Sequence, residues 1–273
     1  WLSSADSAIP LIGFISKFPF VLQINELYET EFLYRFFLKY LSKSSKSIIV
    51  PEINRAFIFK VFFNSKSNPY VLPNKSILPY ELSDLNEDEL AIIGNIKKIK
   101  EDGFKVVIYQ GHLGFDRDFS NFCLGLKNID EKVCLLLIGK DHGILGKYKS
   151  IFSKIIYVPH VFPPKHLYFT KMADIGLIYY EPDCLNNIYC APNKIWEYSF
   201  FGLPFISNNL GGLYEAAVLY KAGVMADFED LSDIVYKVNF LLENLNEYSL
   251  NSKKFYISLD YKSILNNIIL KSL

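Results

Sequence analysis

From residue 104 onward the chain alternates short apolar runs with amphipathic or mixed segments of about ten residues. The runs FKVVIYQ (104–110), VCLLLIG (133–139), KIIYV (154–158), IGLIYY (175–180), LPFIS (203–207) and GVMA (223–226) predict strands. Val, Ile and Leu fill both faces of these runs, which predicts a parallel sheet covered by helices on either side. In EDLSDIVYKVNFLLENLNEYSL (229–250), Leu231, Ile234, Val235, Val238, Leu241, Leu242 and Leu245 share one helical face. The pattern predicts a complete doubly wound, Rossmann-like α/β domain over residues 91–252.

Residues 1–90 carry only part of that pattern. FPFVLQI (18–24) and SKSIIVP (45–51) predict strands, with a helix over 29–44 between them. A linker containing Pro69, Pro73 and Pro79 follows, and then an acidic segment and helix (82–103) lead into the second domain. This predicts a partial N-terminal α/β domain, to which a last helix in 253–273 returns. The opening 24 residues are apolar but broken by Lys17 and two prolines, so neither a signal peptide nor a membrane span is expected. The chain starts on Trp1, and residues upstream are expected. On the first helix Arg35, Lys39, Lys43 and Lys46 lie within about 80° of one another, opposite a wide aromatic arc. That face fits either a solvated basic stripe on a core-packed helix or a contact with anionic lipid headgroups.

Composition narrows the class. Of 273 residues, 51% are hydrophobic and 21% charged, which excludes a disordered chain. Lys and Arg balance Asp and Glu to a net charge of zero, which argues against a reader of nucleic-acid phosphates. Cys123, Cys134, Cys184 and Cys190 form no C-x2-C pair and no zinc spacing, so reduced thiols in the cytoplasm are expected.

In an open parallel sheet, ligands bind beyond the carboxyl ends of the strands. Three such ends are candidates. QGHLGFDRDFSNF (110–122) offers Gly111, His112, Gly114 and Arg117, and IGKDHG (138–143) offers Gly139 and Lys140. Neither glycine pattern fits the dinucleotide or P-loop fingerprint, and each alone is compatible with a tight turn. The third, CAPNKIWEYSFFGLPFISNNLGG (190–212), opens a helix with Pro192 at its first position, Gly202 as its C-cap, and a lysine in the first turn. Helix N-termini favour anions, so Lys194 opposes local electrostatics unless an anion meets it. Lys194 and Glu197 share a helix side, which suits phosphate and ribose contacts and equally suits a plain surface salt bridge. Gly211 and Gly212 precede another helix, a second place where N–H groups could hold phosphate or sugar. No D-x-D cluster is visible, so no metal is expected.

YQGHLGFDR, LLLIGK, MADIGLIYYEP and PNKIWEYSFFGLPFIS, followed by Gly211 and Gly212, resemble retaining GT-B glycosyltransferases of the family-four type, especially bacterial polysaccharide enzymes. The resemblance spans nearly all of 104–250. It implies a GT-B-like fold in which Glu197 holds the ribose and Arg117 and Lys194 face the diphosphate. Gly111, His112, Gly114, Gly139, Lys140, Pro192 and Asn193 would line the nucleotide-sugar site, with Val161 at the base. Where that family often has a donor-sugar glutamate, eight positions before Glu197, this chain has Tyr189, leaving Glu181 and Asn187 as substitutes. On the acceptor side VLQINELYE places Asn25, then Glu26, where a histidine is usual. The resemblance implies that the first half of the N-terminal domain lies outside this sequence.

The expected activity is sugar transfer from a UDP- or GDP-linked donor to a saccharide or lipid-linked acceptor, in the cytoplasm or peripherally on the inner membrane face. The alternatives are a nucleotide-sugar-binding subunit that needs a partner chain, and a nucleotide-sugar epimerase on the same fold. A dehydrogenase ranks lower for want of fingerprint glycines.

Overall fold

The computed structural model of the chain describes residues 1–15, 17–76, 85–129 and 131–272. Two parallel sheets organise it. The first is three-stranded, β1 (Val21–Gln23), β2 (Ser47–Val50) and β3 (Tyr70–Val71) side by side in that order. Helix α1 (Phe32–Ser44) joins β1 to β2, and α2 (Ile53–Phe62) joins β2 to β3. The second helix and the third strand were not legible in the periodicity. The segment INRAFIFKVF is apolar nearly all round, so no stripe marks it as helix. The Pro79 part of the linker lies outside the described residues.

Helix α3 (Glu87–Glu101) leads into the second unit. It begins with a reciprocal cap in which Asn86 Oδ1 accepts from Glu89 N–H at 2.8 Å and Glu89 Oε2 accepts from Asn86 N–H at 2.8 Å. Asn86→Ala is expected to cost about 1 kcal/mol, read as a lower urea midpoint at unchanged slope.

The second sheet has six parallel strands: β4 (Lys105–Gln110), β5 (Val133–Ile138), β6 (Ile155–Val158), β7 (Ile175–Ile178), β8 (Phe205–Asn208) and β9 (Gly223–Ala226). Their spatial order is β6-β5-β4-β7-β8-β9, the doubly wound arrangement. Each of the six runs expected as strands from residue 104 onward is one, shifted by no more than two residues at either end. The reason is visible in the packing: Val107, Tyr109, Leu135 and Leu177 enter one core, while Val106, Ile108, Leu136 and Ile178 enter the core on the other face. A strand buried on both sides cannot carry a polar alternate. Helices α4 (Ser120–Lys127), α5 (Leu145–Ile151), α6 (His166–Thr170), α7 (Leu185–Ile188) and α8 (Asn193–Phe201) connect the strands. After β9, α9 (Leu231–Glu243) buries Ile234, Val238 and Leu241 in the first core, while Leu231 stays largely exposed at its start.

Helices α10 (Leu245–Ser258) and α11 (Tyr261–Ser272) finish the chain. The last packs Ile268 with Ile49 and Leu72 of the first unit, and Ser272 Oγ donates to Ser47 Oγ at 2.8 Å. Among the described residues no helix is long and apolar enough to cross a membrane. The aromatic arc of α1 is divided. Leu38 and Leu41 are buried, but Phe32, Leu33, Phe36 and Tyr40 are exposed beside Arg35, Lys39 and Lys43, while Lys46, expected in the same stripe, lies beyond the helix end at Ser44.

Candidate functional site

The strand order puts β4 next to β7, and their onward connections leave toward opposite edges of the sheet. A crevice opens where the connections diverge. It holds a cleft of about 750 Å³, lined from the second unit by Gly111 and His112 after β4, Gly139 and Lys140 after β5, Tyr180 after β7 and the start of α8. The floor is two loops in unusually close approach. Gly111 and Gly139 sit at φ +143° and +147°, and a Cβ on Gly139 would lie 1.8 Å from the Gly111 carbonyl oxygen. Only glycine at 139 lets these loops meet.

Helix α8 supplies the charge. Pro192 is extended (φ −72°, ψ 139°) and caps the helix, one position earlier than expected, so Asn193 is the first helical residue. The N–H groups of Asn193, Lys194 and Ile195 have no acceptor within the helix. The Lys194 side chain folds inward and is buried. Its Nζ lies 4.4 Å from the Tyr109 ring centre and 5.6 Å from that of Tyr180, with no hydrogen-bond partner. Burial, then the charge of Arg117, brings its pKa from 10.5 down to about 7. Arg117, in a short turn before α4, rests 4.3 Å from the Tyr180 ring centre. Two basic side chains thus share an aromatic-walled corner, and among the described residues no carboxylate forms an ion pair with either.

The salt-bridge reading of Lys194 with Glu197 fails. Glu197 is also buried, but its Oε2 accepts from Gln110 Nε2 and its Oε1 lies 3.3 Å from His166 Nε2. Gln110 Oε1 in turn accepts from Thr170 Oγ1 at 2.7 Å. The carboxylate is therefore oriented by β4 and α6, and Lys194 is left to face the cleft.

Asn25, Glu26, Val161, Pro192 and Asn193 also line the cleft. Six expected positions do not: Arg117, which lies against the Tyr180 ring, and Gly114, Glu181, Asn187, Gly211 and Gly212. Gly114 sits below, where a Cβ would strike the side chains of His112 and Asp116. Glu181 turns away and accepts from Tyr179 Oη at 2.7 Å, beside a separate small hollow. Asn187 donates to Asp183 Oδ1 at 2.8 Å, just ahead of its own helix, and its neighbour Asn186 makes the contacts to the first unit. Gly211 and Gly212 lie away from the cleft, packed against the loop before Pro192. A Cβ on either would strike Tyr189 or Cys190, because their bare backbone seats that loop. They line a second cavity of about 590 Å³ on the other side of Pro192. Asn74, Gln110, His160, His166 and Tyr180 line the cleft without having been singled out. Gln110 could have been, as the one polar residue closing an apolar strand.

No protein-family model matches the chain, and no curated protein matches it in sequence. Solved structures do match. HepE from Anabaena in complex with UDP superposes with a TM-score of 0.73 at 13% identity, covering 99% of this chain and 77% of that one. Sucrose-phosphate synthase from Thermosynechococcus elongatus gives 0.68 at 16%, covering 97% and 69%. WaaG, a glycosyltransferase involved in lipopolysaccharide biosynthesis, gives 0.61 at 16%, covering 89% and 68%. The fold is GT-B-like. What this chain shares with those structures is the fold.

Proposed function

We propose that the chain is a glycosyltransferase that moves a sugar from a nucleoside-diphosphate donor to an acceptor hydroxyl. The buried, unpartnered ammonium of Lys194 at the switch-point cleft carries this reading. An unpaired cation inside a protein is costly, and a diphosphate beside it would offset that cost. When the bond from the anomeric carbon to the phosphate oxygen breaks, negative charge grows on the leaving diphosphate. Lys194, Arg117 and the first N–H groups of α8 are arranged to receive it, so the proposal needs no metal ion. Each Glu197 oxygen has one donor already and a lone pair left for a ribose hydroxyl. HepE was crystallised with UDP and with UDP-glucose, which makes UDP the first nucleotide to test and GDP the second. Retention at the anomeric carbon, a saccharide or lipid-linked acceptor and work at the cytoplasmic membrane face belong to the same proposal.

Calorimetric titration tests it. UDP or GDP is expected to bind, and binding is expected to take up a proton, because Lys194 titrates near pH 7 in the free protein and must be charged in the complex. Above pH 7 affinity is expected to fall toward about tenfold per pH unit. A flat profile from pH 7 to 9, or no binding of either nucleotide, would remove the diphosphate from this site.

A dependence on a second polypeptide is a narrower version of the same reading. It is favoured by the exposed Phe32, Leu33, Phe36, Phe57 and Val61 on the first unit, a large apolar area for a monomer surface. Donor turnover by the chain alone would exclude it, and a free epimerised sugar nucleotide would point to an epimerase instead.

A further inference from the structure

Arg55 stands in the first turn of α2, opposed to the helix dipole as Lys194 is, and is buried with only 3% exposed. Its guanidinium has one long ion pair, with the half-exposed Glu26 Oε2 at 3.8 Å. It donates to three backbone carbonyls. Nε reaches Tyr189 O at 2.6 Å, Nη2 reaches Asn186 O at 2.7 Å, and Nη1 reaches Asn25 O. Two of these acceptors belong to the second unit and one to the first. Asn186 answers from its own side. Its Oδ1 accepts from Leu27 N–H at 2.9 Å, its Nδ2 donates to Glu26 Oε2 at 2.5 Å, and its N–H donates to Glu29 Oε1 at 2.9 Å. Every polar group of Asn186 is therefore committed across the boundary between the units.

The loop so held runs from α7 to Pro192 and delivers the chain to Lys194. From the far side it rests on Gly211 and Gly212, where side chains would collide with it. A planar guanidinium fits this task because its fixed fork can serve several carbonyls at once.

We propose that Arg55 is a positioning residue: it latches the 185–191 loop of the second unit onto the Asn25–Glu29 turn of the first, so that both flanks of the cleft are held in register. The latch aligns the loop beside the donor rather than gripping the nucleotide. Helix α8 is separately anchored, with the buried Tyr198 hydroxyl donating to Ile108 O and Leu177 O at 3.3 Å. The consequence for transfer rests on the nucleotide-sugar reading above, whereas the latch itself does not.

The test uses the full chain with Arg55→Met, Arg55→Lys and Asn186→Ala. Hydrogen exchange is expected to quicken about tenfold or more in peptides covering 25–29 and 184–191 in Arg55→Met, with the β4 and β5 peptides unchanged. UDP is expected to bind within about fivefold of wild type, because α8 keeps its place. UDP release from UDP-glucose is expected to slow about 30-fold or more in kcat, with Arg55→Lys intermediate because a lysine restores only part of the fork. If Arg55→Met does not fold, Asn186→Ala reads the same exchange from the other side of the boundary. Unchanged exchange at 25–29 and 184–191 in a folded variant overturns the latch. Faster exchange in Arg55→Met, together with a wild type that binds no UDP, keeps the latch and removes the nucleotide reading.

Discussion

Lys194→Met is expected to abolish UDP binding and at the same time to raise the melting temperature. Both effects follow from one fact, that the ammonium is buried with aromatic rings and Arg117 for company and no acceptor. Folding lowers its pKa from 10.5 to about 7, so between those values the unfolded chain holds the proton that the folded chain gives up. Stability therefore rises with pH across that window. The group opposes folding fully below pH 7 and not at all above pH 10.5. Methionine keeps the length and removes the charge. The gain at pH 7 is expected to be on the order of 2–4 kcal/mol, or about 5–10 °C for a chain of this size. The loss in UDP affinity is expected to exceed about 100-fold. Thermal scans at pH 6, 8 and 10 with parallel titrations check both. A variant that melts below wild type at pH 7, or binds UDP equally well, would show that this ammonium is already compensated.

Gly139→Ala is expected to be the most damaging single methyl in the chain. The new Cβ would sit 1.8 Å from the Gly111 carbonyl oxygen, at a φ of +147° that side chains avoid. Neither atom can give way cheaply. Gly111 N–H donates to Ile138 O at 2.9 Å, so the two loops extend the ladder of two central strands. The cost is expected to exceed about 4 kcal/mol, read as a collapsed urea midpoint or loss of soluble protein. Gly146→Ala is the control. It lies inside α5 with nothing within 4 Å of the added methyl, and is expected to be neutral or stabilising by up to about 1 kcal/mol. Equal midpoints for the two variants would mean that the loops do not meet as described.

Lys194 was visible before any coordinates because it contradicts a local rule, a cation at the positive end of a helix. Arg55 breaks the same rule in the first turn of α2, but no periodic stripe in the sequence marks that helix, so the rule has nothing to act on there. Asn186 and Asn187 are indistinguishable as letters. Which of the two crosses to Glu26 depends on where a four-residue helix presents each side chain. The paired glycines at 211 and 212 advertise bare backbone, but not whether an anion or another loop lies against it; here it is Tyr189 and Cys190.

The sequence alone determined the second sheet, the fold class and the candidate cation, since burial on both faces and helix-end electrostatics are written in neighbouring residues. Only tertiary structure decided that Glu197 answers to Gln110 and His166 rather than to Lys194. It likewise decided that Arg55 binds the two units together. Those contacts join residues dozens to more than a hundred positions apart, and directional bonds at that separation leave no period or spacing along the chain.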